Sequence, residues 1–509
     1  MDVFLTIVNW IWKNIFSSAA LFMGVLIIIG QLACKKKFLD AFCSGLKGYI
    51  GYLVFNVATS AFSSTFRPIL NGLRKLFNVT LTVNDSYYGL SAQKQAFADA
   101  GGNDGLQGMI LVVAIAIMVL MVVFRKVTKM RSFPIQGHLL TNTSLGILLI
   151  MFLIMPGASN LQLIIVCGVV MALRLMIPTN FAVEAAQDLT DGAGIVVGHA
   201  QMFADRIAWE IGRKIEKDSL KKTGKKPKHL DDLQLPGWLR IFDDVYVSCF
   251  LFMFVFFGII MLVLGESSMH EIDSSFKEGS SFLMYIVGTA AKFPLNLVIL
   301  FAGLRMFVAE ITDAFTGLTQ GVLKGVLPGI DIAAFFGYCG NPNIITASFL
   351  CGTLIMLTMT VLGVLLNAPV IVMMGFTQMM FDNSGAGMFG HHRGGIKGLI
   401  CGTALTGIVD PVFGGVTAWV YGLAETVQGV AAPFDQSLMM SSVGLGIKYL
   451  GIAGLVIWCV IMLAIPQIQY ARCKDKEAYW LAATDWEAYK ARMLNDEVTE
   501  VTEVTAESK

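Results

Sequence analysis

What most constrains this chain is a series of apolar runs distributed along nearly its whole length. Runs such as 110–124, 245–264 and 354–366, extended by flanking small residues, approach the ~20 residues needed to cross a ~30 Å hydrocarbon core. They are too numerous to form one buried core. Composition agrees: hydrophobic residues make up 55% of the chain and charged residues 14%, where a soluble protein carries about a quarter charged. The expected fold class is therefore all-α integral membrane, with about eleven transmembrane helices. Hydropathy puts them near 16–33, 40–61, 107–124, 139–156, 161–178, 245–265, 281–304, 343–366, 367–381, 396–420 and 443–466. Only Asn367-Ala368-Pro369 separates the eighth from the ninth.

Basic residues orient the spans. Lys35, Lys36 and Lys37 follow the first span, and Arg125, Lys126, Lys129 and Arg131 the third. The loop 205–240 holds ten Lys/Arg, and Arg472, Lys474 and Lys476 follow the last span. The opposite loops are neutral or acidic (Glu266, Glu271, Asp273, Glu278). An outer amino end and a cytoplasmic carboxyl end are expected. Arg67, Arg74 and Lys75 are exceptions, assigned to an outer amphipathic segment. Residues 1–15 read as an interfacial amphipathic helix with Trp anchors rather than a cleavable signal.

A net charge of +1 offers no basic face for nucleic acid. The nine cysteines are dispersed without a Cys-x-x-Cys pair, and read as small hydrophobes, not disulfides or metal ligands. No nucleophile–base set, metal-protease motif or phosphate-binding loop occurs, so neither catalytic residues nor a cofactor are expected. His391-His392-Arg393 reads as a polar hinge more readily than as a metal pair.

Two stretches, 66–105 and 305–343, mix Gly, Pro, Asn and Asp with apolar residues. Irregular backbone at membrane depth persists only where it is buried or lines a cavity, which makes both candidates for a solute site. They echo each other: Leu70-Asn71-Gly72-Leu73 with Asp85 following, against Phe315-Thr316-Gly317-Leu318 with Asp331 following. Gly137-His138 has a counterpart in Gly390-His391. Such echoes in opposite orientation are how inverted repeats read in a transporter, with the site at their interface.

Polar residues within the apolar chain need a partner or a cavity. Asn84-Asp85-Ser86-Tyr87-Tyr88 offers either interfacial tyrosines or a hydroxyl-binding Tyr87. His138 and Asn142, four apart, share one helical face; a structural histidine is the alternative. Thr190-Asp191-Gly192 through Gly198-His199-Ala200-Gln201 has glycines suited to a tight re-entrant backbone beside His199. Asp331, after Pro328-Gly329, is either a helix cap or a solute carboxylate.

Five motifs, in order, are more specific: Ser64-Thr65-Phe66-Arg67-Pro68, Gly137-His138, Thr190-Asp191-Gly192 with Gly198-His199, Leu235-Pro236-Gly237-Trp238-Leu239 and Arg305-Met306-Phe307-Val308-Ala309-Glu310. Over about 15–470 the chain resembles the ascorbate-type membrane subunit (enzyme IIC) of the bacterial phosphoenolpyruvate-dependent sugar phosphotransferase system. The resemblance implies a multi-pass inner-membrane homodimer in membrane lipid, with a mobile core domain and a scaffold domain, moving its solute by an elevator-like mechanism. It also implies phosphorylation of the solute by a separate IIB protein, itself supplied through IIA. On that pattern the repeats occupy about 16–200 and 245–430, the basic loop 205–240, the last span 443–466 and a cytoplasmic tail 467–509. The basic stretch 214–228 and the tail are plausible IIB docking surfaces. The family's substrate contacts map onto Tyr87, His138, Asn142, His199, Ala200 and Asp331. Asn142 and Ala200 stand where that pattern has glutamine, which leaves ascorbate, a pentitol, a hexitol or another sugar acid open. The rival reading is a proton- or sodium-coupled transporter with Asp331 or Glu310 as the coupling acid.

Overall fold

A computed structural model of the chain describes Trp10, residues 19–77, 81–86, scattered residues between 89 and 102, and residues 106–135, 137–232, 244–320, 325–426 and 429–493. The expected interfacial helix at 1–15 (apart from Trp10), the motif 235–239 and the tail beyond 493 lie outside the described residues.

The first half runs α1 (Ala19–Ala33), α2 (Phe38–Phe77), β1 (Leu81–Asn84), α3 (Gln107–Val123), β2 (Ser132–Pro134), α4 (Gly137–Ile154), α5 (Asn160–Phe181), α6 (Val183–Leu189), β3 (Val196–Val197) and α7 (Met202–Thr223). The second runs α8 (Val245–Leu264), α9 (Phe282–Gln320), β4 (Leu327–Ile330), α10 (Asn343–Leu365), β5 (Ile371–Met374), α11 (Asn383–Val420), β6 (Gly429–Val430), α12 (Phe434–Leu450), α13 (Ile452–Arg472), α14 (Lys476–Thr484) and α15 (Trp486–Met493). The chain is thus predominantly helical, as its hydropathy requires. Among the described residues four helices are long and apolar enough to cross a bilayer, and a fifth if the bent pair beginning in α8 is one span.

Local chemistry sets several boundaries. Ser159 and Gln162 form a reciprocal capping box that starts α5. Asp244 accepts from the amides of Tyr246 and Val247 to start α8. α2 and α9 are 40 and 39 residues long and lie against each other. A Cβ on Gly51 would sit 2.7 Å from the Phe307 amide, so glycine is what lets the two backbones approach.

The structure divides two expected spans differently. No helix occupies 367–381: β5 runs through it, and a π-turn over Gln378–Asp382 leads into α11. The expected span 443–466 straddles a break at Gly451 (φ 59°, ψ −139°) that separates α12 from α13. α11 itself bends at Gly395, whose φ of 57° and ψ of −149° are open to glycine alone.

The strands were not foreseen. Two three-stranded parallel sheets form, in the orders β5–β1–β6 and β2–β4–β3. Asn84 pairs with Met374 on one side and Val430 on the other; Gly329 pairs with Pro134 and Val196. Each sheet therefore takes its central strand from one half of the chain and both flanking strands from the other half.

Candidate functional site

Parallel pairing makes the three strands of each sheet end on the same side, and every strand leads into a segment whose side chains line one cavity. Ser86 follows β1, Asn142 comes from α4 after β2, and His199 and Ala200 follow β3. Asp331 follows β4, Thr377 follows β5, and Ala431 and Pro433 follow β6. Backbone that would be costly in lipid is satisfied here by the two sheets and borders a cavity instead.

His199 and Asp331 face each other, with Nε2 3.9 Å from Oδ2. At that separation they form no direct hydrogen bond. Asp331 caps a helix and also lines the cavity. Its Oδ1 accepts from the Ala333 amide at 2.9 Å to cap the short helix Ile332–Phe335, while the residue, 4% exposed, lines the cavity. The ring of His199 is held by Gln201, whose Oε1 lies 2.8 Å from Nδ1 and also accepts from the Ala200 amide at 3.1 Å. An amide oxygen can only accept, so Nδ1 carries the proton and Nε2 presents a lone pair toward the cavity. Gln201 is fully buried and turned away from the cavity. It positions His199 and does not replace the side chain that Ala200 lacks.

Asp85 supports two further lining residues, Ser86 and Thr377. Its Oδ2 accepts from the Thr377 amide at 3.2 Å and the Thr377 hydroxyl at 3.0 Å, and Thr377 Oγ1 receives the Ser86 amide at 3.0 Å. Asn84 is structural: its side-chain amide exchanges two hydrogen bonds with the Ala432 backbone. Arg174, from the middle of α5, reaches the cavity wall beside Gln436, to whose Oε1 its Nε donates at 3.0 Å.

Of the residues expected in the site, the structure brings together Asn142, His199, Ala200 and Asp331 on the cavity wall. His138 starts α4 one turn before Asn142, but its side chain, like the whole of Tyr87, lies outside the described residues. His391 is elsewhere: its Nε2 accepts from the Leu230 amide at 3.1 Å and its ring packs on His229. Gly390-His391, the sequence echo of Gly137-His138, lies inside α11. Sequence reading missed Arg174, Gln436 and Thr377, and singled out Ser86 only as a neighbour of Tyr87. A lone arginine inside the run 161–178 was an available signal for the first.

On the face where the basic loop lies, Asp188 of α6 ties down the bend in α11. Trp209 Nε1 and Arg393 Nε donate to its Oδ2 at 2.7 and 2.6 Å, and His392 lies 3.4 Å away. The loop leaving α7 is latched to the same bend, since Lys228 O accepts from the Ile396 amide at 2.9 Å. Arg131 is fully buried against Glu184 at 2.6 Å and stacks on Tyr479 of α14, so residues 476–493 of the tail fold back on the body. No group of His, Cys, Asp or Glu able to hold a metal occurs among the described residues.

Residues 14–436 match the family described as EIIC-GAT, the PTS system sugar-specific permease component. A Mycoplasma pneumoniae protein, the ascorbate-specific PTS system EIIC component, is 21% identical over 447 residues, covering 80% of this chain and 66% of its own length. The chain thus spans slightly under two thirds of that relative. The match embraces all six strands and the cavity they surround, and this chain is a membrane protein belonging to the EIIC-GAT family of sugar-specific PTS permease components.

Proposed function

We propose that the chain is the IIC permease of a sugar phosphotransferase system, which moves L-ascorbate or a similar small polyhydroxylated solute across a bacterial inner membrane and delivers it for phosphorylation by a separate IIB protein. The observation that carries this reading is the convergence of six strand ends on one cavity that holds several polar side chains, within a family of sugar permeases. Asn142, His199 and Asp331 hold solute hydroxyls, joined by Tyr87 and His138 as the resemblance implies. Asp331 accepts, Nε2 of His199 accepts, and Asn142 does both. Ala200 contributes only its backbone and a methyl, so the pocket has one side-chain amide fewer than the ascorbate pattern.

The exchange of strands between halves supports two inverted repeats that share the site. It suits an elevator-like movement in which the cavity travels as a unit in a dimeric scaffold. Exposed Lys214, Lys221, Lys222, Lys225 and Lys226 offer IIB a basic docking surface, and the amino terminus is outside in this arrangement. The test is solute binding to purified protein with Asp331→Asn as comparison. Loss of polyol or sugar-acid binding in the variant, with the fold retained, is the expected result; unchanged binding would remove Asp331 from the site.

A further inference from the structure

We infer that Arg174 makes the cavity selective for anionic solutes, so that the transported class is sugar acids and acidic enediols rather than neutral polyols; this deepens the permease reading above and rests on it. Arg174 is 1% exposed, at the centre of an apolar helix. A buried guanidinium in such a setting needs an acceptor, and usually a counterion. It has two contacts with the protein, Nε to Gln436 Oε1 at 3.0 Å and Nη1 to the His199 carbonyl at 3.4 Å. Both are to neutral groups. Among the described residues it makes no ion pair, and Nη2 has no acceptor, although the side chain lines the cavity.

The acids that act on it from a distance are Asp435 and Asp382, and both are engaged otherwise. Asp435 accepts from the amides of Met202 and Phe203 at 2.8 and 3.0 Å. Asp382 accepts from the Phe434 amide at 3.0 Å. These carboxylates sit at helix starts, where backbone donors hold them. Gln436 meanwhile fixes one edge of the guanidinium and leaves the remaining donors for a ligand. A planar cation with free paired donors suits a carboxylate or a delocalised enolate. A neutral polyol would bind Asp331 and Asn142 equally well but would give the Arg174 guanidinium no charged partner inside the cavity. Asp331 and Arg174 thus divide the solute, hydroxyls to one and the acidic group to the other.

The experiment compares matched pairs on the purified full chain by calorimetry: gluconate against glucitol, threonate against threitol, with ascorbate alongside. In the wild type each acid is expected to bind on the order of ten- to a hundredfold more tightly than its alditol, the range of a charge-assisted hydrogen bond. In Arg174→Gln the ratio of acid to alditol affinity should collapse to near unity, and Arg174→Lys should keep part of it. Alditols binding as well as acids in the wild type, or a preference that survives Arg174→Gln, would overturn the inference and leave the permease reading standing. If neither class binds to folded wild type, both fall. Should Arg174→Gln fail to fold, the wild-type pairs and Arg174→Lys decide.

Discussion

Replacing Gln201 by leucine tests how the site presents His199. Gln201 Oε1 accepts from His199 Nδ1 and the Ala200 amide at 2.8 and 3.1 Å, the second contact fully buried. Leucine keeps the volume and removes the acceptor. The Ala200 amide then has no partner, a loss of about 1–3 kcal/mol in stability. His199 loses the bond that sets its tautomer, so its proton can move to Nε2, where a solute hydroxyl would otherwise donate. Affinity should fall about tenfold, equivalent to about 1.4 kcal/mol. Gln187→Leu is the control. Gln187 holds the same loop through the Ile195 carbonyl and the Gly194 amide but does not touch His199. It should lower the melting temperature comparably and leave affinity intact. The assay is calorimetric binding well below each variant's melting transition. Undiminished affinity in Gln201→Leu, or an equal loss in Gln187→Leu, would refute the positioning role.

Three other outcomes follow from the geometry. Burial alone would raise the Asp188 carboxyl, but hydrogen bonds from His392 and Arg393 outweigh it and hold the group well below the usual carboxylate range. A depressed carboxyl contributes stability that is present above its unfolded value and lost as pH falls toward the folded one. Asp188→Asn should therefore cost about 3–5 kcal/mol at neutral pH, and the gap to wild type in thermal melts should narrow below about pH 4. Gly395→Ala should cost at least about 1–3 kcal/mol from the backbone alone, because the added Cβ would also lie 2.1 Å from Lys228 O; limited proteolysis of the 224–232 loop should accelerate. Asp435→Asn, which weakens acceptance from two amides, should cost about 1.5–3 kcal/mol. Asp410→Asn should change the melting transition little, since the side-chain amide keeps a donor toward the Asp382 carboxylate that Asp410 faces.

Much of this was legible in the sequence because membranes make polarity conspicuous. His199 and Asp331 stood out as polar groups beside Gly and Pro in apolar surroundings, and the structure puts both on the cavity. The stretches 66–105 and 305–343 attracted attention for their mixed composition. Their early parts proved to be the ends of α2 and α9, and their later parts hold β1 and β4. Hydropathy could not divide 367–381 correctly because an apolar strand followed by a turn has the same composition as a short helix. Strands of two to four residues are also too brief to show alternation. Gln436 escaped notice because it meets Arg174 across 262 residues, and nothing local marks that pairing. The role of Gln201 was invisible for a different reason: only the fold reveals that its amide turns back on His199 rather than into the cavity.

The most direct test of the account is uptake into membrane vesicles carrying this chain with the IIA and IIB proteins the proposal assigns to it, using labelled solute, phosphoenolpyruvate and an uncoupler. The permease account predicts uptake that requires phosphoenolpyruvate, yields the phosphorylated solute inside and survives the uncoupler. Accumulation of unmodified solute without phosphoenolpyruvate, abolished by the uncoupler, would contradict it and leave an ion-coupled transporter in its place.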